Sequence, residues 1–297
     1  MMLLALAIAL AIVTAVGVGV LAWDQRRTPM PSDSARVPNR HAAVVAAVAW
    51  MCYLGAFLAG FYGVLFLRAS LQGLPLGGRT IAVVPAAAGL VFLVVHAAGD
   101  LTWPRPRGTV REARLAPRDA DDVAPRWLHR VVLVSAAVLV TGMVFLGGAA
   151  AGPRTLVVTT SEGIAYREGP FPGWWYGVPV IIVVALLIGA LEGVLRLIAL
   201  RPAVTGVPGA WDMALRRRSA RRVLRGVQCS LALTGAAVFH LAGTLFDQVG
   251  PGLESAYVAC VAIAWLFGLS ALMVLVVPGL DFRAAGREDA QAVAVGA

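Results

Sequence analysis

One carboxylate lies where a carboxylate is least at home. Glu192 sits inside an apolar run over 177–200, between Gly189 and Gly193, and roughly 21 Å from the start of that run at about 1.5 Å per residue. An ionisable side chain at such depth costs at least ~2.5–3.5 kcal/mol on insertion scales, which makes it a functional candidate by default. Arg196 follows one turn later, at the spacing of an i,i+4 ion pair. A structural pair, with Arg196 snorkelling to the interface, is the simpler reading; a proton-exchanging or cation-binding site is the alternative. The flanking glycines let helices approach closely and so place Glu192 against protein. Gly55, Ala59 and Gly63 form a similar small-residue stripe on an earlier run.

His96 and Asp100 repeat the i,i+4 spacing at the end of another apolar run. Imidazole and carboxylate can exchange a proton near neutral pH. If the two runs pack side by side, Glu192, Arg196, His96 and Asp100 make one intramembrane polar cluster. A third feature is basic: Arg216, Arg217, Arg218, Arg221, Arg222 and Arg225 fall within ten residues, preceded by Trp211 and Leu215. Beside a membrane each can gain ~1 kcal/mol against anionic lipid. The pattern predicts an interfacial helix over 211–225, with a lipid-facing basic patch held mainly by electrostatics.

Apolar runs must position these groups. With 59% hydrophobic and 14% charged residues, the chain has more apolar surface than a soluble fold can hide. Seven stretches are each long enough to span: 2–22, 43–67, 80–99, 131–150, 177–200, 226–246 and 255–277. The expected fold is all-α, a polytopic membrane helix bundle forming a single integral membrane domain over 1–297. All 25 basic residues are arginine, and 21 of them fall in alternate connections and the tail. The positive-inside rule therefore puts the N-terminus outside and the C-terminus in the cytoplasm of a multi-pass cell-membrane protein. The net charge of +9 is accounted for in the same way and calls for no nucleic acid.

Between the spans, the outer connection 152–176 carries two strand-like segments about Ser161-Glu162-Gly163, a short β-hairpin. It ends in Trp174, Trp175 and Tyr176, placed for an interfacial aromatic belt. The inner connection 100–130 holds a candidate strand over 109–115 and an acidic turn, Asp119, Asp121 and Asp122, without the calcium-loop pattern of an EF-hand. The basic inner loop spans 201–225. Cys52, Cys229 and Cys260 have no metal-ligand spacing and read as buried free thiols. His240 stands alone in the outer half of its run, and His41 and His129 read as interface residues. Bis-histidine haem, which needs two histidines at one depth on facing helices, has no good pair. There is no P-loop, HExxH, G-x-S-x-G or kinase signature. No catalytic, metal or cofactor residue is singled out, and no cofactor is called for.

Two inner-loop motifs, Asp100-Leu-Thr-Trp-Pro-Arg-Pro106 with Thr109-Val-Arg111, and Ala214-Leu-Arg-Arg-Arg-Ser-Ala220 with Arg222-Val-Leu-Arg225, resemble those of uncharacterised multi-pass membrane proteins of actinobacteria. The resemblance implies membrane location and carries no activity to any residue. The expected function is non-enzymatic: a transporter-like component for a small solute or proton, or a membrane partner of another protein. The alternative is a scaffold or regulatory protein using its arginine-rich cytoplasmic face; a membrane-embedded enzyme or haem protein comes third. Expected partners are the bilayer, anionic headgroups at the inner face, and a further protein or a second copy.

Overall fold

The computed structural model describes Gly19 and residues 31–70, 76–104, 119–159, 165–249 and 252–276, by backbone alone at 67–70, 76–78, 159, 275 and 276. The expected first span (2–22) and candidate strand (109–115) lie outside the described residues. After a 3-10 turn at Asp33–Ala35 come α1 (Arg36–Ser70), α2 (Leu76–Leu101), α3 (Ala120–Val123) and α4 (Arg126–Ala149). Strands β1 (Leu156–Thr159) and β2 (Ala165–Glu168) follow, then α5 (Trp174–Leu200), α6 (Gly209–Gln248) and α7 (Glu254–Val276). Among the described residues six helices, α1, α2, α4, α5, α6 and α7, are long and apolar enough to cross a membrane. Their outward faces carry large apolar side chains, among them Phe66, Phe145, Leu186, Trp265 and Met273. Water would penalise such faces and hydrocarbon would not.

The bundle is organised around α6. It packs against α2, α4, α5 and α7, with narrower contacts to α1 and α3, while α1 lies along α2. Its 40 residues extend about 60 Å, twice the roughly 30 Å of a hydrocarbon core. The helix runs unbroken from Gly209, through the segment expected to lie flat on the membrane, into the expected span 226–246. Between Trp211 and Ala232, only Met213, Arg217 and Arg221 are not fully buried. The interfacial helix expected over 211–225 is thus the first half of an internal helix. Trp211 and Leu215, expected to meet lipid, instead form a small second core with Ala35, Ala42 and Trp103, closed by Val204 and Val207. The 201–208 connection is tied to the start of the fold by Ser32 and Ser34, whose hydroxyls donate to the Gly206 carbonyl at 3.0 and 3.3 Å. Gly206 turns there at φ 72°, a conformation that a side chain would strain.

Close approach of α2 and α6 depends on glycine. A Cβ at Gly226 would overlap the Phe92 ring, and one at Gly89 would meet the Ser230 side chain. The small residues singled out from sequence do not serve this purpose. Gly55, Gly63, Gly189 and Gly193 have open space where a Cβ would stand, and Gly55, Ala59, Gly189 and Gly193 are exposed. Apolar composition signals a small-residue stripe, but which side faces a neighbour is decided by the rest of the bundle.

Between α4 and α5, β1 and β2 pair antiparallel with Leu156 opposite Glu168 and Thr159 opposite Ala165. The expected hairpin strands are therefore present, and its turn lies outside the described residues. Trp174, Trp175 and Tyr176 open α5 and diverge around its first turn. Trp174 is exposed, the Arg79 guanidinium sits over the Trp175 ring at 4.8 Å, and Tyr176 is buried.

Candidate functional site

The deep carboxylate does not take the partner nearest in sequence. Glu192 Oε1 lies 2.6 Å from His129 Nε2, a short charge-assisted contact of the stronger kind. His129 is in the first turn of α4, and α4 packs against α5. Arg196 is exposed and makes no pair with Glu192. The ion pair expected within α5 is therefore replaced by a contact between helices. The Glu192 side chain keeps 35% of its surface; the glycines beside it face outward and do not seal it in.

That surface opens on a cleft of about 400 Å³ lined by Asp119, Asp121, Glu192 and Arg196, with Ala120, Ala199 and Leu200. The short helix α3 builds the far wall, its start held by the Asp119 N–H donating to Asp122 Oδ2 at 3.0 Å. The acidic turn that reads from sequence as merely solvated thus contributes two carboxylates to the same cleft as Glu192. Three carboxylates against one guanidinium favour a cation. Among the described residues, no group of three or more His, Cys, Asp and Glu is arranged to hold a metal ion.

His96 and Asp100 belong to a different place. The return helices α2 and α5 do pack together, yet His96 lines a chamber with His41, Asp100, Trp103, Arg201, Ser219 and Arg222. The four-residue cluster expected from sequence is thus divided between a wider cleft and a smaller chamber. Asp100 Oδ1 lies 3.8 Å from Arg201 Nη1. The Arg201 guanidinium stacks over the Trp103 ring at 4.0 Å and donates to Ser219 Oγ at 3.2 Å. Burial holds Arg201 down to about 10, against the opposing pull of Asp100, so it remains charged at neutral pH. His41 Nε2 meets the Gly99 carbonyl at 2.8 Å, and His96 rests against the Phe92 ring with centroids 4.7 Å apart.

The basic run is turned mostly inward. Arg216, Arg218, Arg222 and Arg225 are buried, Arg221 is half-buried, and Arg217 is exposed. They do not form the lipid-facing patch expected from sequence. Arg216 has no exposed surface. Its Nε donates to Asp212 Oδ2 at 3.0 Å, Nη1 to the Ile198 and Ala199 carbonyls at 2.9 Å each, and Nη2 to the Arg201 carbonyl at 2.8 Å. A helix ends with carbonyls that have no intrahelical partner and with the negative end of its dipole. Arg216 supplies both the donors and the charge that the end of α5 lacks. Arg218 Nη1 reaches Asn39 Oδ1 at 3.2 Å, and Arg222 Nη1 reaches the Ala42 carbonyl at 3.2 Å, both on α1. The exposed Arg217 donates to the Asp122 carbonyl at 3.3 Å.

Sequence reasoning missed His129, Arg201, Trp103 and Asp212 as parts of these sites, and also Gln228. The Gln228 side-chain nitrogen donates to Ser135 Oγ and Ser270 Oγ at 2.9 Å each, tying α6 to α4 and α7. Only Asp212 and Arg216, four apart on one helix, left a signal that spacing could have found. Compared with known proteins, the chain matches no family model, no curated protein and no solved structure, so the reading of these residues stands on their geometry.

Proposed function

We propose that this chain is a non-enzymatic membrane protein of seven spans that binds a small cation at its cytoplasmic face and couples that binding to a proton, as a transporter-like component. The observation that carries the reading is the 2.6 Å His129–Glu192 contact at the wall of the acidic cleft. The arginine distribution supports taking the arginine-bearing end as cytoplasmic. When the pair gives up its proton, the cleft gains one unit of negative charge. At a separation of about 6 Å and an effective dielectric of about 20, that charge alters the interaction with a bound cation by about 2–3 kcal/mol, or roughly a hundredfold in affinity. Cation binding would therefore release a proton, and protonation would expel the cation.

The test uses proteoliposomes containing a pH-sensitive dye, exposed in turn to gradients of sodium, guanidinium and tetramethylammonium. None of these ions carries a proton across lipid by itself. The reading expects proton movement with at least one of them, lost in Glu192→Gln and in His129→Gln and retained in Arg167→Gln, at an exposed position on β2. No proton movement with any of the three would contradict it. The alternative of a scaffold docking through an arginine-rich face has less support, because four of the six arginines in the run are buried.

A further inference from the structure

The smaller chamber has a chemical peculiarity that the cleft lacks. Its free volume is about 10 Å³, room for a single water-sized occupant. Around it, four buried nitrogen atoms have no hydrogen-bond partner among the described residues: Trp103 Nε1, Arg201 Nε, Arg201 Nη2 and His96 Nε2. The three side chains are only 4–5% exposed. Indole and guanidinium nitrogens donate and cannot accept, so at least three N–H groups lack an acceptor at one site with space for one particle. A buried donor left without an acceptor is destabilising. A water molecule has two lone pairs and two hydrogens of its own to place. It cannot accept from three donors at full strength. A monatomic anion accepts from all sides and brings no hydrogens. Its charge is also opposite to that of Arg201, whose ion-pair partner Asp100 stands off at 3.8 Å.

We propose that this chamber between α1, α2 and α6 is a binding site for one small monatomic anion of the halide class, held by Trp103, Arg201 and His96. The site lies apart from the Glu192 cleft and does not depend on the proposed cation coupling. Its occupant would join the end of α5 to α2 across the 201–208 connection, so binding should be read out as stability.

The test takes the full-length protein in detergent, exchanged into sodium gluconate. Chloride is then substituted for gluconate at constant ionic strength while the melting temperature is followed. A saturable rise in melting temperature with chloride is expected, reproduced by bromide. Trp103→Phe keeps a ring under Arg201 but removes the indole donor, and should shift the half-saturating chloride concentration upward by tenfold or more. His96→Phe serves as a second variant should Trp103→Phe fail to fold, and should also shift it upward. Arg217→Gln, on the exposed side of α6, should leave the titration unchanged. Equal melting temperatures in chloride and gluconate for the unsubstituted protein would overturn the proposal and leave the chamber to a water molecule. A chloride effect that survives in the folded chamber variant with an unchanged midpoint would overturn it as well, assigning the effect to another site.

Discussion

Replacing Arg216 by Met tests the internal arginine network at its most connected member. The change leaves the side chain's stem in place and removes four hydrogen bonds: to the Ile198, Ala199 and Arg201 carbonyls and to Asp212 Oδ2. Asp212 would then be a carboxylate 3% exposed without the guanidinium beside it, and the end of α5 would lose its cap. Removing one member of a buried charged network costs about 3–5 kcal/mol. At about 2–4 °C per kcal/mol that is a fall in melting temperature on the order of 10 °C. Arg217→Met, one position away but exposed and with a single 3.3 Å contact, should stay within ~0.5 kcal/mol. Combining Arg216→Met with Asp212→Leu should recover on the order of 1–2 kcal/mol, since no carboxylate is then stranded. The carbonyls would remain uncapped, so recovery should be incomplete. The assay is a melt in detergent with a thiol-reactive dye, reporting the buried Cys229 and Cys260. Equal melting temperatures for Arg216→Met and Arg217→Met would mean that residue 216 is not buried, because the two differ only if the helix is internal.

Three further outcomes follow from the same geometry. In a double-mutant cycle on stability, Glu192→Gln and His129→Gln should couple by roughly 0.5–1.5 kcal/mol, given their partial exposure; Glu192→Gln and Arg196→Gln should be additive. Gly226→Ala should destabilise by about 1–3 kcal/mol, because its methyl meets the Phe92 ring. Gly193→Ala, with nothing near it, should be neutral or stabilise by up to ~1 kcal/mol through helix propensity; parallel melts compare the two. For orientation, a reporter active only in the cytoplasm should work when fused after Ala297 and fail when inserted near Gly163; the reverse result would put the arginine-rich end outside and contradict the positive-inside reading.

The bundle itself was largely legible. Apolar runs of spanning length are a property of composition, and six of the seven expected spans correspond to helices long and apolar enough to cross a membrane. The hairpin was legible through alternation about a turn. What composition could not supply was the facing of each residue. A run such as 216–225, with arginines on several sides of a helix, reads alike whether it lies on lipid or inside protein. The difference is made by the Ile198 and Ala199 carbonyls, 18 and 17 positions earlier, and by Asn39, 179 positions from Arg218. The same limit governed Glu192. Arg196 was the partner available within the helix, but His129, 63 positions away, is the one that packing supplies. Gly226 and Gly193 are alike in sequence and opposite in role, for the reason that only one of them has a neighbour.

The first half of α6 is an interior element, and cysteine labelling tests that placement directly. In a background with Cys52, Cys229 and Cys260 replaced by alanine, single cysteines at Arg217, Ala220 and Leu224 would be exposed to a bulky hydrophilic maleimide in mild detergent. Arg217 is exposed, while Ala220 and Leu224 have no accessible surface. Arg217→Cys should label at the rate of a free thiol, and Ala220→Cys and Leu224→Cys only after denaturation. Rapid labelling of all three in the folded protein would mean that the segment lies on the surface, and would contradict the account.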